Sequence, residues 1–196
     1  MKQKPLVTVS CITYNHEKYI ARALDSFLMQ KTDFPFEIVI HDDASTDRTP
    51  EIIREYAEKY PEIIRPMYQK ENQYSKGISN ISGAFNFPRA EGKYIAMCEG
   101  DDYWIDDSKL QRQADYMEAH PECTMCFHSA KTESEDKALR AKEVRPYKRS
   151  KLCTPEEVID KRANYPTASL MFSANLAKAL PQWYHDCPVG DIPIHI

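Results

Sequence analysis

The sequence predicts an α/β domain: a mostly parallel central sheet with helices on both faces. Three observations predict it. Short apolar runs rich in Val, Ile and Thr alternate with amphipathic helical stretches over the first two-thirds of the chain, the pattern that βαβ units leave. Two of those runs end directly in acidic clusters, Asp42-Asp43 and Glu99-Gly100-Asp101-Asp102. Ligands of open α/β sheets bind at the carboxyl ends of strands, so the fold prediction also says where a site should lie. The third is length: 196 residues make one well-buried domain and hardly two.

Taken in order, Leu6 to Thr13 reads as a buried strand. Asn15 offers an N-cap and Glu17 a first-turn acid. Ile20, Ala23, Leu24, Phe27 and Leu28 then predict a helix over 16–30. Phe36 to Ile40 is a second strand. Thr49-Pro50-Glu51 reads as a cap and a first-turn proline before a helix lined by Ile52, Ile53, Tyr56, Ala57 and Tyr60. Ile63 to Tyr68 is a third strand. Residues 77–90 read as helical through Ile78, Ile81, Ala84 and Phe85, with Pro88 ending or bending the helix. Lys93 to Cys98 is a fourth strand, 107–119 a helix turning Leu110, Ala114 and Met117 inward, and Glu122 to Ala130 a further strand. Lys131 to Lys151 is dense in Lys, Arg and Glu and reads as a surface excursion. Thr154-Pro155-Glu156-Glu157 carries a capping-box pattern, and Ala168 to Phe172 is a last strand.

Composition excludes several classes. Apolar residues make up 42%, charged residues 29%, and the net charge is -4, with no block of basic residues; nucleic acid has no electrostatic footprint here. No apolar run is long enough to cross a bilayer, and the start reads as a strand rather than a signal peptide. The six cysteines read as reduced thiols, two of them inside core strands. Only five glycines occur, so a glycine at a sharp position draws notice.

Glu99-Gly100-Asp101-Asp102 carries the most chemistry. Three carboxylates on one turn repel, and a hard divalent cation is a natural compensation; oxygen ligands without His or Cys suit Mg²⁺ or Mn²⁺. The plain alternative is a solvated acidic turn that caps the next helix. Asp42-Asp43-Ala44-Ser45-Thr46-Asp47 follows another apolar strand, where an Asp can accept from a base N–H or a ribose hydroxyl. Here too capping is the alternative. Thr13-Tyr14-Asn15 ends the first strand and borders the same crevice.

The ordered set resembles the inverting glycosyltransferases of family 2. Val9-Ser10-Cys11-Ile12-Thr13-Tyr14-Asn15 looks like the family's opening strand, and Glu37 to Asp47 like its nucleotide-binding strand and turn. Gly77, Ala84, Asn86 and Gly92-Lys93-Tyr94-Ile95 fall where the family leads into its metal strand, and Glu99-Gly100-Asp101-Asp102 sits at its DxD-type motif. The resemblance covers residues 6–130 well. It implies a single GT-A domain over 1–196, with a nucleotide-sugar-binding half over 1–130 and an acceptor-side half over 131–196. It implies that Asp42 contacts the nucleobase, that Thr13, Tyr14 and Asn15 line the pocket with Asp43 a weaker candidate, that Asp101 and Asp102 hold ribose and metal, and that Glu99 replaces the more usual Asp. The implied cofactor is Mn²⁺ or Mg²⁺. The implied donor is a UDP-sugar, and the acceptor a saccharide or lipid-linked molecule of bacterial surface polysaccharide synthesis; the implied location is the cytoplasm, with the inner membrane face, where lipid-linked acceptors lie, as a peripheral site. Gly190-Asp191-Ile192-Pro193 matches the place of the catalytic base, giving Asp191 that role, with Asp186 in reserve. Members of the family run on past this point, so the acceptor side is expected to be trimmed.

Other readings carry less. Cys123-Thr124-Met125-Cys126 has half a zinc-site spacing, but strand residues three apart face opposite ways. His16 and His41 near the crevice read as bystanders, and Tyr103 and Trp104 as either acceptor platforms or rim packing. A nucleotidyltransferase would want a glycine-rich basic loop after the first strand, where Tyr14-Asn15-His16-Glu17 stands. A non-catalytic nucleotide-sugar-binding module would keep Asp42, Asp101 and Asp102 and lack a working base.

Overall fold

The computed structural model describes residues 3–134, 140–149, 151–154, 156–157 and 165–179. In chain order the elements are β1 (Val7–Thr13), α1 (Ile20–Leu28), β2 (Phe36–Asp42), α2 (Thr49–Lys59), β3 (Ile64–Tyr68), β4 (Tyr94–Met97), α3 (Lys109–Ala119), β5 (Met125–Cys126), β6 (Ala130–Thr132), β7 (Lys142–Val144), β8 (Met171–Ser173) and α4 (Ala174–Lys178). The main sheet runs β3-β2-β1-β4-β8-β5. Its first four strands are parallel; β8 is antiparallel to both β4 and β5, and β6 and β7 form a separate hairpin.

Strand parity divides the core. Val7, Val9 and Cys11 of β1 share a face with Ile38 and Ile40 of β2 and with Tyr94 and Ala96 of β4, as the register Val9↔Ile38 and Val9↔Ala96 requires. Onto that face pack Ile20, Ala23, Leu24 and Phe27 of α1, Ile53 of α2, and Leu110, Ala114 and Met117 of α3. The opposite face is covered by shorter pieces, with Phe87, Ile95, Met97, Leu170, Phe172 and Ala174 at its centre. There β1 presents Thr8 and Ser10, and these buried hydroxyls bind rather than pack. Thr8 donates to Glu37 at 2.7 Å and accepts from the Gly92 amide at 2.9 Å, while Asn86 donates to Ser10 at 3.2 Å and to the Cys11 carbonyl at 3.0 Å.

Several elements differ from expectation, each for a local reason. The first helix begins at Ile20 rather than 16, because Asn15 takes φ 54° and a single tight turn on the His16 carbonyl comes first. Thr49 is the first helical residue of α2 and not its cap; the Asp47 carboxylate receives the Thr49 amide at 2.9 Å. Residues 77–90 do not form an α-helix. A wide turn over Ser82–Asn86 runs into a tight one over Phe87–Arg89, since Pro88 has no N–H to continue the ladder. Of the strand expected over 122–130, only Met125–Cys126 joins the main sheet, because its partner β8 is three residues long. The last strand itself is Met171–Ser173 rather than 168–172, since a tight turn occupies Thr167–Ser169. The excursion over 131–151 contains the arm β7 of the β6–β7 hairpin. The capping box is present: Thr154 and Glu157 exchange side-chain-to-amide bonds at 3.1 and 3.3 Å.

One topological fact positions the site. From β1 the chain moves to β2 and β3 on one side, then crosses to β4 on the other. The crevice of an open sheet lies at such a reversal, outside the carboxyl ends of the strands. Thr13, Asp42 and the turn after Met97 stand at those three ends.

Candidate active site

The three strand ends are tied to each other by backbone bonds. The Asp43 amide donates to the Thr13 carbonyl at 3.0 Å, and the Gly100 amide to the Ile12 carbonyl at 2.9 Å. The β1 ladder thus continues past both neighbours and brings the acidic turn beside Thr13. That approach requires a glycine. A Cβ on Gly100 would lie 2.7 Å from Thr13 Oγ1 and 3.1 Å from His16 Nδ1.

Within the crevice, buried polar atoms are left without partners. Thr13 is 3% exposed and its Oγ1 has none. Asp42 is 2% exposed; Oδ2 accepts the Ser45 amide at 3.2 Å, while Oδ1 is buried and unmet. Loss of water pushes the Asp42 carboxyl above its usual range, against the pull of the Ser45 bonds. Tyr68, opposite Asp42 in the register, adds a buried hydroxyl with no partner. A buried acceptor and two buried hydroxyls without partners are costly unless something else meets them.

Asp43 differs from its neighbour. Its two oxygens accept the Gln73 and Tyr74 amides at 2.7 and 3.1 Å, and His41 Nε2 lies 3.4 Å away. Asp43 therefore anchors the turn at 72–76. Asn15 is similarly engaged. Its Oδ1 accepts the Thr46 amide at 2.8 Å and its own amide donates to Ser45 Oγ at 2.8 Å. Beside it, Asp47 accepts the Glu17 amide at 3.0 Å and Glu17 accepts the Arg48 amide at 3.0 Å. These four bonds clasp the loop after β1 to the loop after β2. Ala44 at φ 63° marks the sharpness of the second loop. Tyr14 stands at the rim, 44% exposed.

Asp101 and Asp102 are exposed on the turn after β4, which closes through an Asp102 amide bond to the Glu99 carbonyl at 3.1 Å. Partial loss of water and then the Asp101 charge push the Asp102 carboxyl up, with His16 opposing. Among the described residues no three His, Cys, Asp or Glu side chains gather into a ready metal cage, at Cys123 and Cys126 or elsewhere. Two carboxylates on one turn nonetheless fit Mg²⁺ or Mn²⁺, which bind through one or two carboxylates plus substrate phosphates rather than an all-protein cage.

Trp104 is core: it is 4% exposed, packs on Phe27 and donates to the Ala168 carbonyl at 2.8 Å. The Tyr103 ring is covered by the Arg22 guanidinium at 3.5 Å. Asp186 and Asp191 lie outside the described residues. Sequence reasoning placed His16 near the crevice and read it as a bystander, and it foresaw neither the partnerless Tyr68 hydroxyl nor the clasp. Only Gly100, a rare glycine between acids, signalled that something must come close.

The family model for glycosyl transferase family 2 matches residues 8–180. The chain belongs to that family. An uncharacterized protein of Mycobacterium tuberculosis is 46% identical over 136 residues, 67% of this chain and 37% of the relative. The putative teichuronic acid biosynthesis glycosyltransferase TuaG of Bacillus subtilis is 38% identical over 114 residues, 58% of this chain and 42% of its own. Among solved structures, S. aureus TarS 1–349 in complex with UDP superposes with a TM-score of 0.67 at 22% identity, over 96% of this chain and 53% of the other. The Pyrobaculum calidifontis mannosyltransferase PcManGT, in complex with GDP-Man and Mn²⁺, gives 0.67 at 20% identity, over 98% and 51%. These likenesses establish the GT-A fold. The chain spans about two-fifths of the curated relatives and about half of the solved chains. Among the described residues no helix is long and apolar enough to cross a membrane.

Proposed function

We propose that this family 2 domain binds a nucleotide-sugar, a UDP-sugar in the first instance, and transfers the sugar with inversion to a saccharide or lipid-linked acceptor in the synthesis of a bacterial surface polysaccharide. The observation that carries this reading is the pair of buried, unmet polar atoms, Asp42 Oδ1 and Thr13 Oγ1, at strand ends that converge on an exposed acidic turn.

In this reading the roles divide as the family resemblance implies. Asp42 Oδ1 accepts an N–H of the nucleobase edge, and Thr13 Oγ1 supplies a hydroxyl beside it. Tyr14 at the rim borders the base; Asn15 and Asp43 hold the pocket's walls through the bonds already described. Asp101 faces ribose and, with Asp102, holds Mn²⁺ or Mg²⁺. When bound, that ion neutralises the diphosphate as its charge grows on departure. Asp191 takes the proton of the acceptor hydroxyl, which is a poor nucleophile without a carboxylate in reach. PcManGT holding GDP-Man and Mn²⁺, and TarS holding UDP, support a metal-assisted nucleotide-sugar site on this fold.

Calorimetric titration of UDP tests the reading. Binding in Mn²⁺ should be lost in EDTA and in an Asp101→Ala, Asp102→Ala variant. Absence of binding by UDP and by the other nucleoside diphosphates to folded protein would overturn it. Asp191→Asn should abolish transfer while leaving UDP affinity unchanged; an unaltered transfer rate removes Asp191 from the mechanism.

A further inference from the structure

His16 sits where the nucleoside side of the crevice meets the acidic side. Its Nε2 is 3.9 Å from Asp101 Oδ2. Its Nδ1 is buried without a partner, facing the same side of Gly100 as the unmet Thr13 Oγ1. The ring is held from behind. The His16 carbonyl receives the Tyr19 and Ile20 amides at 2.9 Å each, fixing it to the entry of α1, and the Tyr19 ring stands edge-on at 6.4 Å. The His16 backbone is therefore fixed at the entry of α1 and its ring lies against the β1–Gly100 approach, with one nitrogen 3.9 Å from a carboxylate that has no hydrogen bond among the described residues.

We infer that His16 is a positioning residue for Asp101: its Nε2–H orients the Asp101 carboxylate toward the cation that accompanies the diphosphate. The inference rests on the metal–nucleotide reading above and adds a residue to it. Outer partners of metal-binding side chains act in this way, fixing the angle at which an oxygen is offered. A 3.9 Å separation closes to a hydrogen bond by a small rotation of the exposed Asp101 side chain, which makes no hydrogen bond among the described residues. Gly100 allows it, since any side chain there would push the imidazole out. Nδ1 makes no hydrogen bond within the described residues, so the ring's one directed polar approach is that of Nε2 to Asp101.

The test compares His16→Leu and His16→Gln in the full chain, by calorimetry with UDP and Mn²⁺ and by NMR titration with uridine in EDTA. Uridine lacks the diphosphate and so reports the base pocket alone. The leucine variant should bind UDP–Mn²⁺ about 10- to 100-fold more weakly, the usual consequence of removing an outer partner. It should bind uridine as the wild type does and melt at an unchanged temperature. Glutamine, which places an amide N–H near the Nε2 position, should recover most of the loss. A leucine variant with unchanged UDP–Mn²⁺ affinity overturns the role of His16, as does one that loses uridine in equal proportion, which would make the residue a pocket wall. Wild-type protein that gains nothing from Mn²⁺ overturns the metal reading beneath it, a result distinguishable because it precedes any substitution.

Discussion

The two loops clasped after β1 and β2 and the turn after β4 line one crevice, yet they handle polar groups in opposite ways. In the clasp, Asn15, Glu17, Ser45 and Asp47 all bind within the chain, four bonds across some thirty residues of sequence. At the turn, Asp101 and Asp102 stand exposed, and beside them Thr13 Oγ1 and His16 Nδ1 lack hydrogen-bond partners among the described residues; on the core side, over the Trp104 ring, the Lys109 ammonium lacks one too. The clasp closes on itself through its own hydrogen bonds, while the turn leaves its carboxylates exposed; in the proposed reading the first walls the base pocket and the second meets the charged diphosphate. A binding site that must hold one rigid group and one variable, charged group is well served by such a division.

The contrast makes removal of a polar group stabilising on one side and destabilising on the other. The largest effect falls at Lys109. It is fully buried, lies 3.7 Å over the Trp104 ring, and burial pushes its ammonium down to about 7, with the nearby Cys98 and Cys126 working the other way. A cation whose pKa falls on folding binds its proton more tightly when unfolded. Stability is therefore lowest below pH 7 and climbs from there to the ordinary value of 10.5. Lys109→Met should flatten that climb in urea melts and raise stability at pH 7 by about 1–3 kcal/mol, the cost of a buried donor left without a hydrogen bond. A loss of stability would mean that the ammonium finds a partner in solution.

Next comes Asp42. Asp42→Asn should weaken UDP and uridine alike, by about 1.5–3 kcal/mol, the worth of a hydrogen bond to a charged acceptor. If uridine affinity survives, the base is read elsewhere. A smaller effect is expected at Asp47, whose carboxylate receives amides of both clasped segments. Asp47→Ala should destabilise by about 0.5–2 kcal/mol, the range for a lost helix cap, and equilibrium unfolding would show it. Asp101→Asn should come last for stability, within about 0.5 kcal/mol of wild type, because an exposed carboxylate whose one charged neighbour is His16 at 3.9 Å holds little together. A large change there would show the turn to be structural and would erase the contrast.

Much of the fold was legible because its signals are local. Val7, Val9 and Cys11 alternate with Thr8 and Ser10, and the odd positions are those that meet α1 and α3. Leu110, Ala114 and Met117 keep helical spacing and are buried. The reading failed where distant partners decide. Asn15 has the chemistry of a cap, but Thr46, thirty-one residues on, takes its oxygen. Residues 82–89 have helical spacing, yet the wide turn before Pro88 lets Asn86 reach into β1. Asp42 and Asp43 are adjacent and identical, and only the family resemblance ranked Asp42 first; in the fold Asp43 accepts the amides of Gln73 and Tyr74 while Asp42 Oδ1 stays buried without a partner.

By itself, the order of residues determined the family, the run of parallel strands, and the positions of Asp42, Asp101 and Asp102 at strand ends, because periodicity and strand termini are short-range properties of a chain. The tertiary structure alone decided that β8 inserts antiparallel beside β4, that Gly100 brings Thr13 and His16 against the acidic turn, and that Asn15 binds the loop after β2 while Asp43 binds the amides of Gln73 and Tyr74. Those outcomes depend on contacts between segments far apart in sequence. Side-chain chemistry permits many such pairings, and only packing selects among them.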